Sequence, residues 1–202
     1  IGALENLGDE VPRKRSHLLV FDRLADGKVV LTGPRRSVPR QHDAILRIKR
    51  TGILNVAFHT KMNSIGSEVI QGLNKAVDLA ETGEWKGIVV SNEGAQFSAG
   101  ANVGMIFMLA VEQEWEELDF AVRTFQNTMM RMRYSGIPVV AAPHNMALGG
   151  GCELCMHADK VVAHAELYMG LVEFGIGVIP AGGGTKEFVL RLNDELQEGD
   201  MR

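Results

Sequence analysis

Residues 53–91 read ILNVAFHTKMNSIGSEVIQGLNKAVDLAETGEWKGIVVS, and this stretch decides the fold class. Ile53 to Phe58, after the turn at Thr51-Gly52, is an apolar run of strand length. From Ser67 to Thr82, the residues Val69, Ile70, Leu73, Ala76, Val77 and Ala80 recur at spacings of three and four. That is the pattern of a helix with one apolar face. Gly83 follows as a stop, because glycine enters the left-handed cap without steric cost. Gly87 to Ser91 is apolar and β-branched, as a buried strand requires. Strand, helix and strand in this order predict a right-handed βαβ unit and a parallel sheet.

Working outward, Ile45, Leu46 and Ile48 predict a strand paired across Thr51-Gly52, so the domain proper begins at Ala44. Residues 1–43 carry scattered charges, Pro12, Pro34 and Pro39, and a basic cluster at Arg35, Arg36 and Arg40. They read as a linker or peripheral segment, within which Leu18–Phe21 and Val29–Thr32 flank Asp26-Gly27 as a candidate hairpin. Downstream, Val103 to Tyr134 has no proline and is rich in Met, Leu and Glu, which predicts helix with one break near Trp115. Gly136–Ala142 reads as a strand, Cys152–His157 as a short helix, Lys160–Ala163 as a strand and Glu187–Leu192 as a helix.

Among 202 residues, 21 Lys+Arg stand against 25 Asp+Glu, and 46% are hydrophobic. This balance excludes general disorder and lacks the basic excess that nucleic-acid binding needs. The longest apolar runs, Met105–Val111 and Ile137–Pro143, are far too short to cross a bilayer. Cys152 and Cys155 stand three apart and cannot staple a fold, so a reducing compartment such as the cytoplasm is expected. The first residue is Ile1, and the expectation is a piece of a longer protein.

Three small-residue turns carry the candidate chemistry: Phe97-Ser-Ala-Gly-Ala-Asn102, Ala147-Leu-Gly-Gly-Gly-Cys-Glu153 and Ile179-Pro-Ala-Gly-Gly-Gly-Thr185. Each sets uncovered backbone N–H groups at or before a helix start, where they can hold an anion or a developing oxyanion. Neither the dinucleotide fingerprint nor the P-loop pattern is present, which disfavours phosphate cradling of a nucleotide. Glu153 ends the second turn, and Glu173 lies twenty residues on among Leu171, Val172, Phe174 and Ile176. A carboxylate in such surroundings is costly to bury without a partner, and two acids near an oxyanion-binding turn make an acid/base pair. The competing readings are a helix-end stabiliser for Glu153 and a surface loop acid for Glu173.

Cys152-x-x-Cys155 with His157 offers three possible ligands inside two helical turns, but no second Cys or His pair completes a tetrahedral site. No metal is expected, and the thiols read as small buried side chains. Met105, Ile106 and Phe107 follow the first turn and are candidates to line an acyl chain.

Taken together, Phe97–Ala101, Gly136–Ala142, Ala147–Leu154, Ala158-Asp159 and Glu173–Thr185 resemble the enoyl-CoA hydratase/isomerase family, the crotonases. Lys61-Met-Asn-Ser64 falls where that family has an Asn-containing turn, and the resemblance spans Ala44 to Leu192. The long front segment and the wording of the motifs are similar to the hydratase portion of a two-part β-oxidation protein that also carries a 3-hydroxyacyl-CoA dehydrogenase.

The resemblance implies an α/β fold of repeated ββα units, the ClpP/crotonase-like fold, over residues 44–202. It implies that the amides of Ala101 and Gly150 hold the thioester oxygen and that Glu153 and Glu173 handle the protons. Ala99, Asn102 and Gly149 in the same turns, with Met105 and Ile106, become substrate-binding candidates. Lys61 and Lys86 become candidates to meet CoA phosphates. Two acids favour hydration of a trans-2-enoyl-CoA over isomerisation. An isomerase, another crotonase reaction and a non-catalytic acyl-CoA-binding module remain the alternatives. No cofactor is implied beyond the coenzyme A of the substrate; the implied partners are a linked dehydrogenase and a trimer-based homo-oligomer. The family's C-terminal helices, which complete the pocket, are expected to be missing here. Asn102 stands in place of the family's usual Asp, Pro143-His144-Asn145 in place of an Asn-Gly turn, and Ala181 in place of a frequent Gly.

Overall fold

The computed structural model describes residues 20–23, 29–32, 44–49, 52–82 and 85–200, with side chains in 52–82 and 85–194. The Asp26-Gly27 turn, the Arg35, Arg36 and Arg40 cluster, Thr51 and Gly83 lie outside these residues.

A seven-stranded sheet runs in the order β1 (Val20–Arg23), β2 (Val29–Thr32), β3 (Ala44–Lys49), β4 (Ile53–Phe58), β5 (Gly87–Val90), β6 (Val139–Ala141) and β8 (Lys160–Val161). The first four strands pair antiparallel, with Val20 opposite Thr32, Val29 opposite Leu46 and Ala44 opposite Phe58. From β4 onward the pairing is parallel, with Leu54 beside Ile88, Ile88 beside Val139 and Val140 beside Lys160. The ladder therefore continues across residue 43, with β1 and β2 at the outer edge. A second, two-stranded parallel sheet joins β7 (Met146–Leu148) to β9 (Tyr168–Gly170).

Helix α1 (Ser67–Ala80) buries Val69, Ile70, Leu73, Ala76, Val77 and Ala80, the stripe its sequence predicts. Each large apolar side chain buried there contributes about 1.5–3 kcal/mol. These residues pack with Leu54, Val56, Phe58, Ile88, Val90 and Val139 of the sheet. The long helical stretch is two helices, α2 (Val103–Val111) and α3 (Trp115–Arg133), interrupted where Gln113 takes φ 59°. Helix α3 closes the core with Met129 and Met132, and its Thr128 hydroxyl accepts from Asn74 Nδ2 at 2.7 Å. Two further helices, α4 (Gly150–Met156) and α5 (Gly184–Asp200), follow the second and third turns.

Some expected boundaries move for physical reasons. The Gly136–Ala142 strand contracts to β6, because Pro138 has no N–H to give a ladder. The Lys160–Ala163 strand likewise contracts to β8. Helix α4 begins two residues ahead of Cys152, because Gly149 supplies the turn into it with φ 50°. Helix α5 begins at Gly184 and extends to Asp200, well beyond the predicted Glu187–Leu192. Among the described residues, no helix is long and apolar enough to cross a membrane.

Candidate active site

The three small-residue turns converge beyond the carboxyl ends of the parallel strands, the usual position for ligands on such sheets. The first turn is tied down on both sides. Asn92 Oδ1 accepts from Phe58 N at 2.8 Å, and Asn92 Nδ2 donates to Phe97 O. Ser98 Oγ donates to Asn63 O at 2.8 Å and accepts from Gly100 N at 3.1 Å. Ala99 N donates to Met62 O at 3.1 Å, which brings the turn holding Lys61 beside Ala99. Asn63 Nδ2 spans to Glu93 O and Gln96 O, both at 2.9 Å.

This turn meets the second across Gly100, whose φ of 96° is open only to glycine at low cost. A β-carbon there would stand 2.7 Å from Leu148 O and 3.2 Å from Gly150 N. One on Gly150 would stand 3.1 Å from Ala101 N and 3.2 Å from Phe125 Cζ. The amides of Ala101 and Gly150 are thus close neighbours, and neither donates to an acceptor among the described residues. Two fixed, unspent N–H groups beside one open point form a cradle for an oxygen that gains charge.

Glu153 lies in the first turn of α4 and is only 3% exposed. Its Oε1 accepts the Gly184 amide at 3.0 Å, so it caps the start of α5 from a different helix. Burial pushes its carboxyl above the ordinary carboxylate value, as does the Glu173 charge, while the amides of Gly184 and Gly182 draw it down. Any side chain on Gly182 would collide with the Glu153 carboxylate and the Phe125 ring. Gln126 Nε2 donates to Ala181 O at 2.6 Å and fixes the same turn from α3.

Glu173 opens a short 3-10 turn, Glu173–Ile176. A β-carbon on Gly149 would stand 3.0 Å from its Oε1, and its Oε2 is buried with no hydrogen-bond partner among the described residues. Its surroundings differ from the expectation. Phe174 is 77% exposed, and Val172 and Ile176 are exposed as well. The carboxylate is sheltered by the glycine turn rather than by its apolar sequence neighbours, because the 3-10 turn points those neighbours outward.

The remaining candidates are distributed around these groups. Asn102 is exposed, and its Oδ1 accepts Met105 N at 3.2 Å, which makes it the cap of α2. Met105 is exposed and Ile106 half-buried on a helix that buries none of its side chains among the described residues. Lys61 is exposed, in the 3-10 turn that carries Met62 O to Ala99. Cys152 and Cys155 are buried free thiols, and burial pushes Cys152 up to about 12. Among the described residues, no group of three His, Cys, Asp or Glu side chains is placed to hold a metal ion.

Two features were not legible from the sequence. Phe125, whose ring stands against both Gly150 and Gly182, is one apolar residue among many on α3, and nothing in its spacing distinguishes it. Glu187 is fully buried, with Arg133 Nη1 at 2.6 Å, Lys186 Nζ at 2.9 Å and His157 Nε2 at 3.5 Å. A charged residue on a polar helix gives no signal that it faces inward.

The chain is similar to known proteins in sequence and in fold. A family model described as enoyl-CoA hydratase/isomerase matches residues 49–195. The chain is 48% identical over 133 residues to a probable 3-hydroxyacyl-CoA dehydrogenase of Bacillus subtilis, covering 66% of this chain and 17% of that protein. It is 32% identical over 125 residues to a probable enoyl-CoA hydratase of the same organism, covering 61% of this chain and 47% of that protein. The crystal structure of an enoyl-CoA hydratase from Polaromonas sp. JS666 matches with a TM-score of 0.67 at 25% identity, covering 71% of this chain and 56% of that one. The chain spans less than a fifth of the first relative and about half of the other two.

Proposed function

The chain belongs to the enoyl-CoA hydratase/isomerase family, and from that premise we propose that it hydrates trans-2-enoyl-CoA to 3-hydroxyacyl-CoA in fatty-acid β-oxidation. The observation that carries this reading is the pair of unspent amides at Ala101 and Gly150, with the unpaired Glu173 oxygen beside the same turn.

The thioester oxygen accepts from both amides. As water adds to Cβ, electron density moves onto that oxygen, and the fixed dipoles stabilise it without reorganising. Each such donor is typically worth about 10²–10³ in rate. Glu153 takes a proton from the attacking water, for which the Gly184 amide holds one carboxylate oxygen in place. Glu173, beside the same turn, helps pass a proton on to Cα. Water gives its oxygen to Cβ and a proton to Cα by way of the two glutamates, so the pair ends with the number of protons it began with.

Met105 and Ile106 line the acyl chain, Ala99 and Gly149 shape the entry to the amides, Asn102 holds α2 beside them, and Lys61 meets the CoA phosphates. The reaction takes no cofactor beyond the coenzyme A carried by the substrate. Residues 44–202 form the hydratase unit, for which the family match at 49–195 is the support. The likeness to a relative named 3-hydroxyacyl-CoA dehydrogenase supports a linked dehydrogenase as a partner, and the family resemblance implies a trimer-based homo-oligomer. The two free thiols support a reducing, cytoplasmic setting.

The test is the ultraviolet absorbance of the conjugated thioester on mixing short- and long-chain trans-2-enoyl-CoA with the chain and with its Glu153→Gln variant. Hydration predicts a decay that the variant abolishes. An unchanged signal with the chain itself, or equal decay with the variant, contradicts the reading.

A further inference from the structure

Glu153 sits in a closed ring of contacts that the reaction itself does not explain. Its backbone carbonyl pairs with His157 Nδ1 at 2.7 Å, and a carbonyl only accepts, so Nδ1 carries the hydrogen. The other ring nitrogen faces Glu187 Oε1 at 3.5 Å. Glu187 lies in the first turn of α5, three residues after Gly184, whose amide returns to the Glu153 side chain. Arg133 at the end of α3 clamps Glu187 Oε2 at 2.6 Å, and Lys186 stands 2.9 Å from Oε1. Glu187 thus joins the ends of α3 and α4 to the start of α5, at the point where α5 contributes to the site.

We propose that Glu187, held by Arg133 and facing His157, is a positioning residue that keeps the Gly184 amide on the Glu153 carboxylate. A buried ion pair is a poor device for stability alone, since well-packed apolar side chains of like volume commonly do as well. Its value is geometric: Glu187 Oε2 accepts from Arg133 Nη1 at 2.6 Å while Oε1 lies beside Lys186 and the His157 ring, which sets the register of α5. When that register loosens, the Gly182–Gly184 turn drifts and Glu153 loses donors that favour its ionised form. Glu173 is the remaining charge acting on Glu153, and it stays in place.

This inference rests on Glu153 acting in hydration, so the test has a readout independent of the reaction. In the whole chain, the titration of Glu153 is followed by carboxyl carbon-13 resonances, assigned with Glu153→Gln, in the native sequence and in Glu187→Gln. The expected result is a midpoint higher by about one pH unit, the loss of one charge-assisted hydrogen bond. With it, kcat for hydration falls about tenfold or more while KM stays within about twofold, as misplacement of a catalytic group predicts. A folded variant with an unchanged Glu153 midpoint overturns the proposal. If Glu187→Gln does not fold, Arg133→Gln takes its place, and loss of fold in both assigns the cluster to stability and overturns it too. A shifted midpoint in a chain that hydrates nothing would overturn the proposed function instead.

Discussion

Replacing Gly150 by alanine adds one methyl group at the point where the substrate oxygen must sit. Its carbon would stand 3.1 Å from Ala101 N, inside the 2.7–3.1 Å shell that an accepting oxygen needs. The amide of residue 150 survives, but the oxygen cannot approach both donors. Blocking one donor costs about 10²–10³ in kcat, or about 2.7–4 kcal/mol of transition-state stabilisation. The fold should tolerate the change, because Gly150 does not have a positive φ and alanine gains about 1 kcal/mol over glycine in a helix. Against that, the methyl would press on Phe125 Cζ at 3.2 Å, an overpacking cost of about 1–3 kcal/mol. The assay is hydration kinetics beside chemical denaturation. The expected outcome is a parallel fall in kcat and kcat/KM with a cooperative unfolding curve. A folded Gly150→Ala protein with activity within about threefold of the native chain would refute the oxyanion assignment.

Other expectations concern buried charge. Burial holds the Glu153 carboxyl above its unfolded value, so its stabilising share is complete at low pH and lost as pH rises through the folded value. Glu153→Gln keeps an acceptor for Gly184 and should therefore raise thermal stability, by about 1–3 kcal/mol near pH 8 and by little near pH 4. Glu187 has the opposite sign: burial opposes its ionised form, but Lys186, His157 and Arg133 outweigh it and hold the carboxyl low. Its contribution is present above the unfolded value and lost as pH falls through the depressed one. Denaturation of Glu187→Gln should show a loss of about 3 kcal/mol at neutral pH that shrinks in acid. Finally, thiol labelling at pH 8 should be slow at Cys152 and Cys155 until denaturant is added, since burial pushes both thiols up.

What the sequence made legible follows from where local pattern and tertiary packing agree. Helix α1 shows its buried face outright, because its apolar residues keep the 3.6 period for four turns. The break between α2 and α3 is marked by a change in polarity near Trp115. Strands β7 and β9 leave no sequence pattern, since Met146–Leu148 and Tyr168–Gly170 are three residues each, too short for alternation to register. The turns at Gly100 and Gly149–Gly151 stood out because glycines cluster where backbones approach closely. Glu187 and Phe125 did not, because their roles depend on which face of α5 and α3 meets the third turn, and that is decided only by packing. The exposed flanks of Glu173 show the same limit: apolar residues in a row do not say what covers them.

The proposed hydration has two amides and two glutamates add water across a conjugated thioester. The most direct measurement incubates the chain with trans-2-enoyl-CoA in heavy water enriched in oxygen-18 and examines the product by mass spectrometry and NMR. Hydration at this site should leave one solvent oxygen at C3 and one deuterium at C2, both abolished by Glu153→Gln. A product with a displaced double bond and no solvent oxygen would contradict it.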